Sequence, residues 1–446
     1  MRKGNFWRCV LPSMLAFACS GVYAIVDGFF IGRNLGDPGL AAINIAYPVT
    51  ALLQALGTGI GVGGSVLMVS EGTGSEAKIR QDQKRILLLL LFAAAAMTVL
   101  GSAVKDPVLH MLGARGEIYE LGRIYLRIIL MGAVFQLLGT GLIPVLRNMD
   151  RAFLAMIFMM SGFFTNMILD YLLIEVIPMG MFGAALATAA GQGVTAVTSL
   201  LYLLKKSVLK RSGASEEEKL IQWDRIKRML VIGLSPFGLT LSPNLILLVM
   251  NKSLTVYAGD HEVAVYAVIS YVIVVVQLLL QGVGDGSQPL FSLCLGMGDV
   301  KSCGRYRSMA YWFAAAIGAA GMASLYLFRR EVPLVFGASP EVMETYGKVI
   351  LIFCAGLIPY SFIRVTASYF YATRQNLQAY ILAYGEPAGV AAWLLILPHV
   401  IGVTGIWLAV PLSQLTVAGA ALLLRKKEEL SRNLQINGEV GKGESI

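Results

Sequence analysis

Charge is scarce in this chain. Only 14% of its 446 residues are Asp, Glu, Lys or Arg, against roughly 25% in a soluble domain. That shortage excludes an ordinary water-soluble protein. Histidine is almost missing: His110, His261 and His399 stand alone, each at the edge of an apolar run. Five cysteines (Cys9, Cys19, Cys294, Cys303, Cys354) are scattered without a C-x-x-C pair, so neither a metal centre nor a disulfide framework is indicated. The chain also lacks H-E-x-x-H, a paired Ser and His, and the phosphate-binding G-x-x-x-x-G-K-[ST]. Intramembrane hydrolysis and ATP-driven transport therefore have no support.

What is present is apolar: 57% of the residues are hydrophobic and mean hydropathy is +0.70. Runs of about 20 apolar residues recur along the whole sequence, each long enough to cross a hydrocarbon core of roughly 30 Å as a helix. The expected spans are 9–31, 39–69, 86–108, 119–143, 153–175, 180–204, 229–253, 263–293, 309–328, 347–371, 377–399 and 401–424. Arg2, Lys3 and Arg8 ahead of an apolar stretch imitate a signal peptide, and Leu15 to Cys19 imitates a lipoprotein cleavage site. Pro12 interrupts that stretch early, and eleven further spans need no cleaved leader, so the first run reads as a span.

The net charge of +9 does not point to nucleic acid, because the basic residues sit in short loops between spans. Alternating loops carry 26 Lys and Arg on one side and 7 on the other, with Arg123, Arg127 and Arg364 inside spans. The richer side holds both termini, which places them in the cytoplasm and agrees with an even number of spans. The longest polar stretch, 205–228, falls at the midpoint and reads as a cytoplasmic linker. It divides the chain into an N-terminal six-helix lobe, 1–204, and a C-terminal one, 229–428, followed by a polar tail, 429–446.

The two halves repeat. Pro12 matches Pro236 and Asp27 matches Asn251; one residue is then lost, and Gln54, Gly59, Gly61 and Gly63 match Gln277, Gly282, Gly284 and Gly286. Gly72 and Gly74 match Gly296 and Gly298, Gly113-Ala114 matches Gly337-Ala338, Gly183 matches Gly405, and Gln192 matches Gln414. An offset held within 222–224 residues is the signature of duplication. Six spans return the chain to its starting side, so the repeats are parallel and related by a pseudo-twofold axis along the membrane normal. The fold class is thus an all-α membrane protein of twelve helices in two six-helix bundles.

A charge at the centre of a span costs at least about 2.5–3.5 kcal/mol and usually has a function. Asp27, Asp170, Asp285, Arg364 and Glu386 fall in the first, fifth, eighth, tenth and eleventh spans. Asn166, four residues before Asp170, shares its helix face, and Thr188 in the sixth span offers a hydroxyl. Asp27, Asn166, Asp170 and Thr188 together make an oxygen-rich set. It suits a hard cation such as Na⁺, or a proton shared between carboxylates in low dielectric. The alternative for each charge is a hydrogen-bonded network with no further role. Pro12 removes a backbone hydrogen bond and can bend the first helix, or marks a fixed bend. Asp285, Gln288, Arg364 and Tyr266 are candidates for the wall of a substrate cavity, where a tyrosine ring can stack on a cation. Gly57, Gly59, Gly61, Gly63 and Gly64 permit close helix packing.

The segment Asp27-Gly28-Phe29-Phe30-Ile31-Gly32-Arg33-Asn34-Leu35-Gly36, followed by Leu40-Ala41-Ala42, resembles the first-helix signature of the multidrug and toxic compound extrusion family. Gly284-Asp285-Gly286-Ser287-Gln288-Pro289-Leu290 resembles the matching part of its second half, and the likeness covers about 1–428. The resemblance implies a cation-coupled antiporter in a bacterial inner membrane, exporting small, often cationic, organic drugs by alternating access. It implies no cofactor beyond a coupling H⁺ or Na⁺. In the DinF-like and bacterial branch the cation site lies in the N-terminal lobe, and its pattern maps onto Asp27, Asn166, Asp170 and Thr188, with Pro12 as the bending proline. The NorM-like branch has an acidic residue in the seventh helix, where this chain carries Asn251. A lipid-linked oligosaccharide flippase of the same superfamily is the alternative; those usually have fourteen spans and a basic cavity. The expected partners are organic cations and the bilayer, with no nucleic acid, and the chain is expected to act as a monomer.

Overall fold

A computed structural model describes residues 5–72, 75–205, 222–336 and 338–443, the last thirteen of these and Asp260 as backbone only. Among them there are helices and no strands: α1 (Phe6–Gly72), α2 (Glu76–Met111), α3 (Gly116–Met131), α4 (Ala133–Asn148), α5 (Ala152–Asp170), a six-residue π-type turn (Tyr171–Val176), α6 (Gly180–Leu203), α7 (Trp223–Tyr257), α8 (Asp260–Met297), α9 (Val300–Leu327), α10 (Val332–Val335), α11 (Pro340–Cys354), α12 (Leu357–Ala372), α13 (Asn376–Ile401) and α14 (Val403–Gly443). All-helical structure is what an apolar solvent demands, because each backbone N–H must find its acceptor within its own segment. The outward faces are apolar: Phe92, Trp312 and Val400 are each more than 70% exposed, an arrangement stable in lipid and not in water.

Ten helical stretches are long and apolar enough to span a membrane, and α3 with α4, bent by 58°, make an eleventh. The twelfth is hidden in α1. Sixty-seven residues would reach about 100 Å as one helix, three times the hydrocarbon thickness. The chain turns back at Gly36, whose φ of 62° and ψ of −158° are not helical. The expected loop between residues 31 and 39 is therefore a one-residue break, affordable because glycine accepts positive φ. Pro12 lies inside α1, which continues through it without non-helical angles. The linker expected at 205–228 falls mostly on 206–221, outside the described residues, as do Gly74 and Gly337 of the repeat; α7 already starts at Trp223. The boundary expected at residue 229 is therefore six residues late. The α14 backbone runs on through the expected polar tail to Gly443.

The duplication is visible in the backbone. Gly36 (φ 62°) corresponds to Gly259 (φ 95°), Gly180 (58°) to Gly402 (59°), and Asp150 (62°) to Arg374 (64°). The last pair is informative, because neither residue is glycine and positive φ is uncommon for both. The same turn was kept at the same place in each half.

The repeated glycines also close the boundary between halves. A Cβ on Gly63 would lie 2.1 Å from Met229 O, and one on Gly59 would lie 2.9 Å from Gly233 O. Their counterparts Gly286 and Gly282 would strike Val10 Cα at 2.8 Å and Met14 Cα at 2.5 Å. The second span thus packs on α7, and α8 packs on the first span, as the pseudo-twofold requires. Backbones approach this closely in lipid only through small residues.

Candidate functional site

In the N-terminal half, α5 and α6 cross closely because Gly162 and Gly191 face each other. A Cβ on Gly191 would sit 2.7 Å from Gly162 O and 2.9 Å from Asn166 Cβ. That contact sets Asn166, one turn beyond Gly162, against α6 beside Thr188. Asp170 is the last residue of α5, where the π-type turn begins. Such turns are frequent at functional sites. The other end of that turn is tied to α1, where Asn34 Nδ2 donates to Glu175 Oε2 at 2.9 Å and Arg33 pairs with Glu175 at 3.4 Å. This fixes the first span so that Asp27 faces Asp170.

Asp170 is fully buried and Asn166 is 2% exposed. Yet both carboxylate oxygens of Asp170, both polar atoms of Asn166 and Oδ1 of Asp27 find no partner among the described residues unless the Asp27 and Asp170 carboxyls, which lie within reach of each other, share a proton. Thr188 Oγ1 donates to its own helix, at Ala184 O, 3.1 Å, and lies within hydrogen-bond reach of the Tyr125 hydroxyl. The hydroxyls of Tyr23, Tyr47 and Tyr125 lie within electrostatic range of the Asp27 carboxyl. Leaving buried polar atoms unpaired is expensive, so this donor set fits a bound cation or a shared proton.

The C-terminal candidates separate. Asp285 and Arg364 meet loosely at 3.9 Å, and Tyr371 OH donates to Asp285 at 3.3 Å. Glu386 accepts from Gln414 Nε2 at 2.9 Å. Gln288 is engaged across the boundary between the halves, where its amide and that of Asn148 exchange bonds of 2.8 and 3.2 Å. Tyr266 does not belong with them. It is nineteen residues before Asp285 on α8, about 28 Å along that helix at 1.5 Å per residue. There it packs 6.0 Å from the Phe353 ring and 6.4 Å from Trp407, so its apolar ring serves the core of the C-terminal half.

A set of residues that the sequence left among its loop charges closes the end of the molecule that carries the start of α1 and α7. Glu71 accepts from Arg225 at 3.0 Å, Arg228 at 2.8 Å and Arg374 at 2.7 Å. Asp82, fully buried, takes Arg225 at 2.5 Å and its own neighbour Arg85 at 3.0 Å. Both carboxylates belong to the N-terminal half, and Arg225, Arg228 and Arg374 to the C-terminal half. Acidic residues at loop edges were the one available signal. Nothing in the sequence pairs them with arginines more than 140 positions away.

The family model MatE matches residues 12–172 and 239–385, falling within both halves. The chain belongs to the MatE family. Among curated relatives, the multidrug export protein MepA of Staphylococcus aureus (strain NCTC 8325 / PS 47) is 25% identical over 423 residues, covering 93% of this chain and 91% of MepA. MepA of Staphylococcus saprophyticus is 24% identical over 426 residues, with the same coverage. Solved structures share the fold. The outward-facing conformation of a multidrug resistance MATE family transporter of the MOP superfamily superposes with a TM-score of 0.87, at 22% identity and 96% of each chain. A MOP superfamily transporter from Pyrococcus furiosus, described as having a binding pocket of reverse polarity, gives 0.85 at 22% identity and 96% of each chain. Twelve helices in two six-helix bundles are therefore the MATE fold, and the chain is a multipass membrane transporter.

Proposed function

We propose that this MatE chain is a cation-coupled antiporter that exports organic, often cationic, compounds across a bacterial cytoplasmic membrane. The observation that carries the reading is the buried polar cluster inside the N-terminal half, in which Asp27, Asn166 and Asp170 keep unsatisfied oxygens beside α6, the helix of Thr188. A proton shared by the two carboxyls, or a Na⁺ held by their oxygens with the Asn166 and Thr188 oxygens, removes the cost of that cluster. Occupancy therefore changes how the first span packs against α5 and α6. Because α8 packs directly on the first span, the change passes to the boundary between the halves and biases which end is open. The resemblance to export proteins named MepA supports the direction and the substrate class. Both termini lie in the cytoplasm on the strength of the Lys and Arg distribution, so the closed, ion-paired end is cytoplasmic. The chain acts as a monomer, with one route between its two halves.

The deciding experiment is ethidium efflux by purified protein in inverted vesicles, with proton and sodium gradients imposed separately. Export driven by one gradient identifies the coupling ion. Equal efflux with neither gradient overturns antiport.

A further inference from the structure

The buried charges that the coupling cluster leaves unused gather near the closed end. Asp285 is the most open of them, its side chain 14% exposed against 3% for Arg364. Its contacts are long: 3.9 Å to Arg364, 3.3 Å to Tyr371 OH and 3.4 Å to Gln281 Nε2. Arg364 Nε has no hydrogen-bond partner among the described residues, and Arg364 also lies within electrostatic range of Glu386. Within the C-terminal half, Asp285 is thus held by its guanidinium through one loose contact and keeps an open side.

A second buried cation stands on the other half. Arg147, the penultimate residue of α4, is 5% exposed. Its guanidinium lies 5.3 Å over the Phe17 ring and donates to Met159 Sδ at 3.4 Å. No carboxylate is within ion-pairing distance of it among the described residues, yet Asp285 is within range of its charge. The register explains why. Arg147 precedes Asn148, and Asp285 is three residues before Gln288. The Asn148–Gln288 amide pair therefore draws the N-terminal guanidinium towards the C-terminal carboxylate.

We propose that Asp285 receives the positively charged group of the exported compound, and that Arg147 is the charge that expels it. This rests on the export reading above. When the closed end opens, Asn148 and Gln288 separate and Arg147 withdraws with its own half. Asp285 then faces Arg364 alone, through one loose contact, and the positively charged group of the compound can approach its open side. When the end closes, Arg147 returns, brings its own positive charge near Asp285, and weakens the hold on the compound, which leaves towards the far side. A cation site on one half and a competing cation on the other make affinity depend on which end is open, as export requires.

The test is ethidium binding to the purified full chain, followed by fluorescence anisotropy. Arg147→Met should tighten binding on the order of tenfold, the effect of removing a unit charge several ångströms away at an intermediate dielectric. Asp285→Asn should weaken it by a similar factor. In the double variant, Arg147→Met should no longer tighten binding. Arg147→Lys, which keeps the charge and alters the packing, should bind as the wild type does, and elution as a single species checks that each variant is folded. Arg147→Met binding unchanged or weakened, tightening that persists without Asp285, or Arg147→Lys behaving as Met, would each overturn the proposal. Wild type that pumps ethidium while its affinity ignores both residues overturns this inference and leaves the export reading standing. Wild type that neither binds nor pumps overturns both.

Discussion

Asn148 and Gln288 exchange hydrogen bonds through their side-chain amides, at 2.8 and 3.2 Å, across the boundary between the two halves. Both are almost fully buried, and each has a second tie to its own half, Asn148 to Ser65 Oγ at 3.0 Å and Gln288 to Ser292 Oγ at 2.8 Å. Amides paired in this way satisfy each other only while the end is shut. Opening it exposes them to water, which can replace the lost bonds. A polar seal of this kind can therefore open and close, where an interdigitated apolar seal would resist parting.

Outside that seal, Glu71 holds three guanidiniums from the opposite half. Glu71→Gln should shift the population towards the state open at this end by several-fold, because three partly exposed ion pairs, each worth roughly 0.2–1 kcal/mol, are lost together. Spin labels at Lys78→Cys and Leu377→Cys, in an otherwise cysteine-free background, report the separation of the halves. An unchanged distance distribution would show that the pairs are decorative.

Gly63→Ala tests the glycine seam by sterics. The added methyl would meet Met229 O at 2.1 Å and Gly233 N at 2.6 Å, both backbone atoms with nowhere to go. The halves must part, while each bundle keeps its own packing. The expectation is a folded protein with near-normal melting temperature whose closed-end thiol labels react several-fold faster. Loss of the folded protein itself would mean that the seam holds the fold together and is not only a contact of one conformation.

Much of this architecture was legible before any coordinates. Twelve spans, the duplication and the glycine matches follow from apolar run length and a constant offset, both dictated by the bilayer. The sequence did not reveal Gly36 as a one-residue turn, because a glycine in an apolar stretch looks the same whether helical or at positive φ. Asp27, Asn166, Asp170 and Thr188 stood out because polarity within hydrocarbon is conspicuous. Glu71, Asp82, Arg225 and Arg374 did not, because charge at a membrane surface is ordinary and its partners are set by how the halves meet. Tyr266 shows why a tyrosine in a span is ambiguous: most of its ring is apolar, and it packs against Phe353 and Trp407 as a core residue does.

Asp27→Asn and Asp170→Asn should each reduce gradient-driven ethidium efflux to the background of empty vesicles. Neither should destabilise the protein, since a charge removed from apolar surroundings removes its desolvation cost. Thermal melting in detergent should be unchanged or raised. Efflux at the wild-type rate in both variants would mean that the coupling ion binds elsewhere.

The same cluster can be made to report which ion it holds. A proton needs only the two carboxyls, whereas Na⁺ is bound through several oxygens at once. Thr188→Val preserves shape and removes one hydroxyl oxygen. That hydroxyl also bonds to Ala184 O within its own helix and lies in reach of the Tyr125 hydroxyl, so melting temperature is measured alongside efflux. Asn166→Leu removes the amide oxygen that has no partner among the described residues. If sodium is the coupling ion, both variants should raise the sodium concentration needed for half-maximal efflux by roughly tenfold or more, the cost of one lost ligand at about 1.4 kcal/mol. Proton-driven efflux would then be negligible in wild type and variants alike. If the proton is the coupling ion, Thr188→Val and Asn166→Leu should pump at rates within about twofold of wild type under a pH gradient, because neither carries the proton. Only the two aspartate variants should then fail. The measurement is initial efflux rate against sodium concentration at fixed pH, and against pH without sodium. A Thr188→Val protein that loses both gradients' effects equally would exclude either ligand role and assign the threonine to helix packing.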